Sequence, residues 1–126
     1  MRALRENGER PVRVVGTDVR ERSAGRFLCD RFATVPAGSE PGYADALLEV
    51  ARREGAELVF PQSSAEVAAI AARAGDFGVP VLVSSPEAVR RASDKAETAQ
   101  LADRLGIPQP RAPLLSSGLV QTSRPG

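Results

Sequence analysis

The sequence contains no histidine and a single cysteine, Cys29, in 126 residues. Without histidine, the chain cannot form a Ser-His-Asp or Cys-His catalytic group, and it lacks the commonest metal-ligating side chain. One cysteine allows neither an internal disulfide nor a zinc site built from thiolates. Cys29 lies in the run R-F-L-C-D-R-F, where it is interpreted as a small core residue rather than a nucleophile. We therefore expect no catalytic residue and no metal ligand in this chain.

Aromatic residues, excess charge and long apolar runs are also scarce. Only 4% of the residues are aromatic although 42% are hydrophobic, so the core must consist mainly of Val, Leu, Ile and Ala. The formal net charge of +1 provides no electrostatic footprint for nucleic acid or for an anionic membrane surface. No apolar run is as long as a membrane span, and the N-terminus M-R-A-L-R-E-N-G lacks the apolar core of a signal peptide. A cytoplasmic protein that binds neither nucleic acid nor membrane is the simplest interpretation.

What the sequence does contain is an alternation of short β-branched runs and amphipathic segments. The alternation predicts βαβ units and a parallel sheet with right-handed crossovers. The expected fold is α/β, a three-layer Rossmann-like open sheet. The predicted strands are 12–15 with a polar tip at 16–18, 32–36, 58–60 and 81–83, and the predicted helices are 1–8, 23–30, 41–54, 63–74 and 86–92.

Polar side chains follow two of the predicted strands. In doubly wound sheets, an acid at the carboxyl end of a strand often faces the ligand crevice, and Asp18 has that position. Asp18 is expected either to bind a ligand hydroxyl there or to cap the turn that follows. Gln62 and Ser63 lie in a loop at the same edge of the sheet, and Ser63 and Glu66 have the spacing of a capping box. Asp30, just before the second strand, is given a local structural role.

The stretch from Ser93 to Pro110 reads S-D-K-A-E-T-A-Q-L-A-D-R-L-G-I-P-Q-P. Asp94 and Glu97 have capping-box spacing, and Gly106 suits the left-handed position after a helix end. Lys95 lies in the first turn, where the helix dipole disfavours a cation. It is either a solvated surface lysine or a lysine directed at a phosphate. The predicted apolar stripe of this helix comprises Thr98, Leu101, Ala102 and Leu105.

The pattern D-K-x-x-T-x-x-L-A-x-x-L-G-I-P-x-P resembles the junction that opens the ATP-grasp region in the carbamoyl-phosphate synthase large chain, biotin carboxylase and related ATP-dependent ligases. The resemblance covers about residues 3–110 and implies that the α/β segment is the pre-ATP-grasp domain. It also implies that Lys95 contacts nucleotide phosphates, that ATP and Mg²⁺ are cofactors of the full-length enzymes, and that a carboxylate is activated as an acyl phosphate for transfer to an amine or similar nucleophile. The alternative is a non-catalytic Rossmann-like module for small-molecule binding or interaction, because such sheets host many functions.

The resemblance also predicts how the chain is divided into parts. Residues 1–92 are expected to form the pre-ATP-grasp-like domain and 93–110 the helix and exit toward an ATP-grasp domain. Residues 111–126, rich in Pro, Ser and Gly, are expected to form a linker or disordered tail.

Two parts of such an enzyme are not found in the sequence. In a doubly wound sheet the first strand lies near the middle, but here the first predicted helix starts at Met1. We expect a truncated product or an N-terminal piece whose unpaired strand edges favour self-association or a partner chain. The ATP-grasp domain is the second missing part, so the expected partners are that domain or a partner chain and a carboxylate substrate. Alone, the chain is expected to bind no cofactor productively and to be inactive.

Overall fold

The computed structural model describes residues 2–6 and 8–108. The described residues divide into two compact units, one within residues 1–90 and the other within residues 91–126. Helices and a small parallel sheet confirm the α/β class. In chain order the elements are α1 (Arg2–Arg5), β1 (Val15–Asp18), a 3-10 turn (Ala24–Leu28), β2 (Arg31–Thr34), α2 (Tyr43–Glu54), α3 (Ser64–Ala71), a second 3-10 turn (Ala74–Phe77), α4 (Pro86–Ser93) and α5 (Lys95–Arg104).

The strands β1 and β2 pair in parallel, with Val15 opposite Arg31. The predicted first strand began at residue 12, whereas β1 begins at Val15. The side chain of Asp30 accounts for this difference, because its Oδ2 accepts the N–H of Val14 at 2.7 Å. Asp30 Oδ1 accepts a hydrogen bond from the Arg5 guanidinium at 2.9 Å. Asp30 thus has the local structural role that was predicted for it.

A second parallel pair is formed by single residues, Val59 and Val81. The N–H of Val59 donates to the carbonyl of Pro80 at 3.0 Å, and the carbonyl of Val59 accepts from Leu82 at 2.8 Å. Residues 58–60 are called the Val59 segment below, and residues 81–82 the Val81 segment. The runs 58–60 and 81–83 were predicted to be buried strands, which is wrong for three of their side chains: Leu58 is 52% exposed, and Phe60 and Leu82 are each 56% exposed. Among the described residues, no backbone hydrogen bond joins this pair to β1, so the continuous open sheet is not formed there.

The hydrophobic core lies on one face of the strands and is supplied mainly by α2. This helix begins after Gly42 (φ 86°) and ends at Gly55 (φ 62°), within two residues of the predicted bounds. Ile70 of α3 is 0% exposed. The buried cluster comprises Val35, Tyr43, Leu47, Leu48, Val50, Ala51, Val59, Ile70 and Phe77. The sequence pattern predicts one apolar face for this helix, formed by Tyr43, Leu47, Val50 and Ala51, and the burial of these four residues confirms it.

Residues outside this core are more exposed than their sequence pattern indicates. The predicted helix 23–30 is a short 3-10 turn whose Phe27 is 85% exposed. In the predicted helix 1–8, Leu4 is the residue expected to face inward, but it is 45% exposed. Cys29 is half-buried, and its Sγ lies 2.9 Å from where a Cβ on Gly16 would stand. Its predicted packing role is therefore only partly realised.

In the second unit, α5 begins as predicted. Asp94 caps it by accepting the N–H groups of Ala96 at 2.8 Å and Glu97 at 3.0 Å. The N–H of Asp94 donates to the carbonyl of Arg91 at 3.2 Å. Gly106 ends the helix with φ 66°.

None of the described helices is long and apolar enough to cross a membrane. The predicted tail at 111–126 lies outside the described residues.

Candidate functional site

The carboxyl ends of β2 and of the Val59 segment meet through a close backbone contact. A Cβ on Gly38, in the loop after β2, would lie 2.7 Å from the backbone N of Glu66 and 2.9 Å from the backbone C of Ala65. Gly38 therefore packs directly against the first turn of α3. This contact brings the loop after β2 and the loop before α3 together, at the end of the strands where α/β proteins commonly bind ligands.

Glu66 organises the loop that enters α3. Its Oε2 accepts the N–H groups of Gln62 and Ser63, each at 2.9 Å. In return, the N–H of Glu66 donates to Ser63 Oγ at 3.2 Å, which completes the predicted capping box. The hydroxyl of Ser63 is therefore engaged in capping, whereas the side chain of Gln62 is exposed.

Tyr43, the first residue of α2, lies beneath this loop and is only 2% exposed. Burial, the largest cause, and the nearby Glu66 carboxylate together raise the pKa of Tyr43 to about 12. The Glu66 carboxylate is thus held by backbone N–H groups and lies close enough to Tyr43 to influence its ionisation. The sequence predicted Tyr43 only as one residue of an apolar stripe, because nothing local indicates its contact with Glu66.

The raised pKa of Tyr43 predicts a loss of stability at alkaline pH. The neutral phenol is favoured in the folded chain, where its pKa is about 12, over the unfolded chain, where it is near 10.0. The stabilisation that the neutral phenol gives the folded chain is complete below pH 10. Roughly 2 kcal/mol of it is lost as the pH rises toward 12. Urea unfolding between pH 9 and 12 measures this loss. Tyr43 is the only tyrosine and the chain has no tryptophan, so tyrosinate absorbance reports this residue alone.

The control for this prediction is Tyr43→Phe, in which the alkaline loss should largely disappear. An ordinary tyrosinate titration near pH 10 in the folded chain would contradict the buried contact with Glu66.

Asp18 is placed at the carboxyl end of β1, as predicted. Its Oδ1 accepts the N–H of Arg20 at 3.0 Å, and this backbone hydrogen bond is the main reason that the pKa of Asp18 is lowered. The turn-capping alternative is therefore formed. Binding of a ligand hydroxyl by Asp18 stays a prediction.

Lys95 is the first residue of α5 and is exposed. Within residues 2–6 and 8–108, its ammonium makes no ion pair. Lys95 belongs to the second unit, whereas Asp18, Gln62 and Ser63 belong to the first. Its contact with a phosphate stays a prediction.

A cavity of about 430 Å³ lies at the other end of the strands, and its lining residues are Arg26, Cys29, Asp30, Arg31, Phe32 and Glu54. Its acidic groups are already paired. Glu54 forms ion pairs of 3.4–3.8 Å with Arg13, Arg31 and Arg53, and Asp30 holds Val14 and Arg5 as described above. In the described ranges, no cluster of three or more His, Cys, Asp or Glu side chains could hold a metal ion.

Comparison with known proteins places the chain in a family. The model of the PylC-like N-terminal domain matches residues 2–82. The carbamoyl phosphate synthase large chain of Deinococcus radiodurans is 43% identical over 42 residues, which are 33% of this chain and 4% of that protein.

Two solved structures share the fold. The biotin carboxylase domain of a thermophilic 2-oxoglutarate carboxylase, bound to bicarbonate, superposes with a TM-score of 0.61 at 18% identity and covers 85% of this chain and 25% of its own. The complete multifunctional pyruvate carboxylase from Rhizobium etli gives a TM-score of 0.55 at 21% identity, covering 88% of this chain and 11% of its own. The chain thus spans a small part of each relative. From the family match and these likenesses, the chain belongs to the PylC-like N-terminal domain family, as the pre-ATP-grasp domain that the sequence predicted.

Proposed function

We propose that this chain is the N-terminal part of an ATP-grasp ligase, which activates a carboxylate as an acyl phosphate and transfers it to an amine or similar nucleophile. The observation that carries the proposal is the family match over residues 2–82. The local likeness to a carbamoyl phosphate synthase large chain supports the same class of reaction. Because the chain spans at most 25% of its relatives, the activity belongs to the assembled protein and the chain alone is inactive.

In the proposed arrangement, the two parallel strand pairs of the first unit are parts of a Rossmann-like sheet whose carboxyl ends face the substrate or the next domain. The contact of Gly38 with Glu66 and the capping box of Ser63 fix the loop that bears Gln62. The exposed side chain of Gln62 can then donate and accept hydrogen bonds to a carboxylate-bearing substrate. Asp18, already bonded to Arg20 through Oδ1, contributes a fixed negative charge at this edge.

The described residues do not fit a complete site for ATP and Mg²⁺. They contain no cluster of carboxylates for the metal, and the N–H groups of Ala96 and Glu97 at the start of α5 are taken by Asp94. Lys95 remains as one exposed cation, and a single ammonium is a point charge without the further donors that a triphosphate requires. We propose that Lys95 is one contact to a nucleotide phosphate in the assembled enzyme, with Mg²⁺ held by residues outside this chain.

This assignment predicts that nucleotide binding depends on a joined ATP-grasp region. The 126-residue chain should show no thermal stabilisation by Mg-ATP, either as wild type or as Lys95→Ala, because stabilisation requires a ligand concentration comparable with Kd. In a fusion of residues 1–110 to the ATP-grasp region of a biotin carboxylase, Lys95→Ala should weaken ATP binding by about 10- to 100-fold, as expected for a charge-assisted contact of about 1.5–3 kcal/mol. Thermal unfolding followed by circular dichroism measures the stabilisation, and calorimetric titration measures the affinity.

Lys95→Arg is the matched control, since it keeps the charge and should recover part of the affinity. Equal affinities in the fusion with and without Lys95→Ala would remove Lys95 from the nucleotide site. A clear shift in the isolated wild-type chain that Lys95→Ala abolishes would show that the chain binds nucleotide alone.

A further inference from the structure

The cavity of about 430 Å³ at the amino ends of the strands has a surplus of positive charge in its wall. Its lining includes Arg31, the first residue of β2, and Glu54, the last residue of α2. The Glu54 carboxylate lies 3.4–3.8 Å from three guanidinium groups, those of Arg13, Arg31 and Arg53. These four residues are called the arginine cluster below. Three positive charges and one negative charge give the cluster a net charge of +2.

The second carboxylate in the lining does not reduce this surplus. Asp30 is bonded through Oδ1 to the guanidinium of Arg5 at 2.9 Å and through Oδ2 to the N–H of Val14 at 2.7 Å. It is therefore neutralised by an arginine that is not part of the cluster. Arg26, which also lines the cavity, forms an ion pair with Glu21 at 3.1 Å. Both pairs are neutral as units, so the arginine cluster sets the sign of the charge at the cavity.

Arg31 is the member of the arginine cluster whose donors are least used. Arg13 donates to the backbone carbonyl of Glu54, and Arg53 donates to its carboxylate at 3.4 Å. The Nε of Arg31 lies 3.8 Å from Glu54 Oε2, which is longer than a hydrogen bond. Among the described residues, no acceptor takes a hydrogen bond from the Arg31 guanidinium. Its planar fork of five N–H donors is therefore available for two parallel hydrogen bonds to an oxyanion.

The remaining lining holds a second guanidinium and an aromatic ring. The guanidinium of Arg26 lies 5.6 Å from the centroid of the Phe32 ring, a distance typical of a cation–π contact. The carbonyl of Arg26 accepts a hydrogen bond from the Cys29 thiol at 3.4 Å. These contacts hold Arg26 and the ring in one wall of the cavity. The volume falls in the range of about 300–1,000 Å³ that is usual for small-molecule sites.

The size of the charge surplus favours a phosphate ester over a carboxylate. A phosphate monoester carries a charge of about −1.5 to −2 near pH 7 and has three strong acceptor oxygens. That charge matches the +2 of the arginine cluster, whereas a carboxylate would offset only half of it. The three oxygens can also accept from two guanidinium groups at once. A cation is disfavoured, since both carboxylates of the lining are already paired with arginines.

We propose that this cavity binds a small phosphate monoester, with the phosphate group held by Arg31 and Arg26 and the organic part lying against Phe32. The other two arginines of the cluster add positive potential at the phosphate. The site is at the amino ends of the strands, whereas the loops that bear Gly38 and Gln62 follow the carboxyl ends. Binding here therefore does not depend on the proposed ligase function.

Cys29 reports directly on the occupancy of the cavity, because it lies in the lining and is the only cysteine of the sequence. The probe is phenyl phosphate, and the measurement is the rate at which the neutral reagent iodoacetamide alkylates Cys29 in the 126-residue chain. Phenyl phosphate at about ten times its Kd should slow the reaction about tenfold by mass action. Benzoate, with half the charge, and inorganic phosphate, without the ring, should each require a higher concentration for the same effect. Equal slowing by sodium chloride at the same ionic strength, or by inorganic phosphate at the same concentration, would overturn the proposal.

Substitution of Arg31 tests the contact itself. Arg31→Gln should raise the Kd of phenyl phosphate by at least about tenfold, because it removes a charge-assisted bidentate contact. Arg31→Lys keeps the charge without the planar fork and should give an intermediate Kd. Arg22→Gln is the matched control, since Arg22 is an exposed arginine outside the lining, and it should leave Kd within about twofold of wild type.

Thermal unfolding provides a readout that does not use the thiol. Phenyl phosphate should raise the Tm of wild type and of Arg22→Gln, but not of Arg31→Gln at the same concentration. Circular dichroism of each variant without ligand verifies that it is folded. The same Kd and the same rise in Tm for folded Arg31→Gln as for wild type would overturn the proposal. Nucleotide binding is not measured in either test, so the outcome for this site and the outcome for the ligase assignment are separate results.

Discussion

Replacing Gly38 by alanine is expected to lower the free energy of unfolding by about 3 kcal/mol. The added Cβ would lie 2.7 Å from the backbone N of Glu66, 2.9 Å from the backbone C of Ala65 and 3.0 Å from the Cα of Glu66. All three are backbone atoms at the start of α3, so none can move aside as the end of a flexible side chain could. The loop after β2 must separate from α3, which also disturbs the capping box. Urea denaturation followed by circular dichroism measures the change.

Gly75→Ala is the matched control, because no atom lies within 4 Å of a Cβ at Gly75 and its backbone is not left-handed. The control should change stability by no more than about 0.5 kcal/mol. In Gly38→Ala, the amides of Gln62 and Ser63 should also exchange faster, since their bonds to Glu66 depend on this contact. Similar stability losses in both variants would mean that Gly38 does not hold the two loops together.

Helix ends were the most predictable part of this molecule. The end of α2 at Gly55, the capping box of Ser63 and Glu66, and the cap of α5 by Asp94 are all formed. Each depends on residues within one helical turn, so the sequence pattern contains the whole interaction. The bounds of α2 follow for the same reason.

Burial of the strands was less predictable because it depends on distant parts of the protein. The apolar runs at 58–60 and 81–83 predict strands covered on both faces. The structure covers the face of Val59, by α2 and α3, and leaves Leu58, Phe60 and Leu82 exposed. The sequence pattern did not indicate how exposed the second face of these segments would be.

The candidate site likewise combines features that local sequence predicts with contacts between distant residues that it does not predict. The capping role of Ser63 and the position of Asp18 follow from local patterns. The contact of Tyr43 with Glu66 and the approach of Gly38 to α3 join residues more than twenty positions apart. No periodicity or spacing encodes such contacts, so the residues that hold the loop in place were not found from the sequence.

Ile70→Ala is expected to lower the free energy of unfolding by about 2–5 kcal/mol, through lost burial and the cavity left behind. Ile70 is 0% exposed and lies in the cluster that joins α2, α3 and the strands. Because small domains have only about 5–15 kcal/mol of stability, the variant should unfold at a much lower urea concentration. Thermal and urea denaturation both measure this change.

Leu82→Ala is the matched control, because it also shortens a branched four-carbon side chain to a methyl group. Leu82 is 56% exposed on the opposite face, so its loss should cost less than about 1 kcal/mol. The ratio of the two effects therefore measures how far the core is confined to one face of the strands. A cost for Leu82→Ala equal to that of Ile70→Ala would show that protein covers the second face.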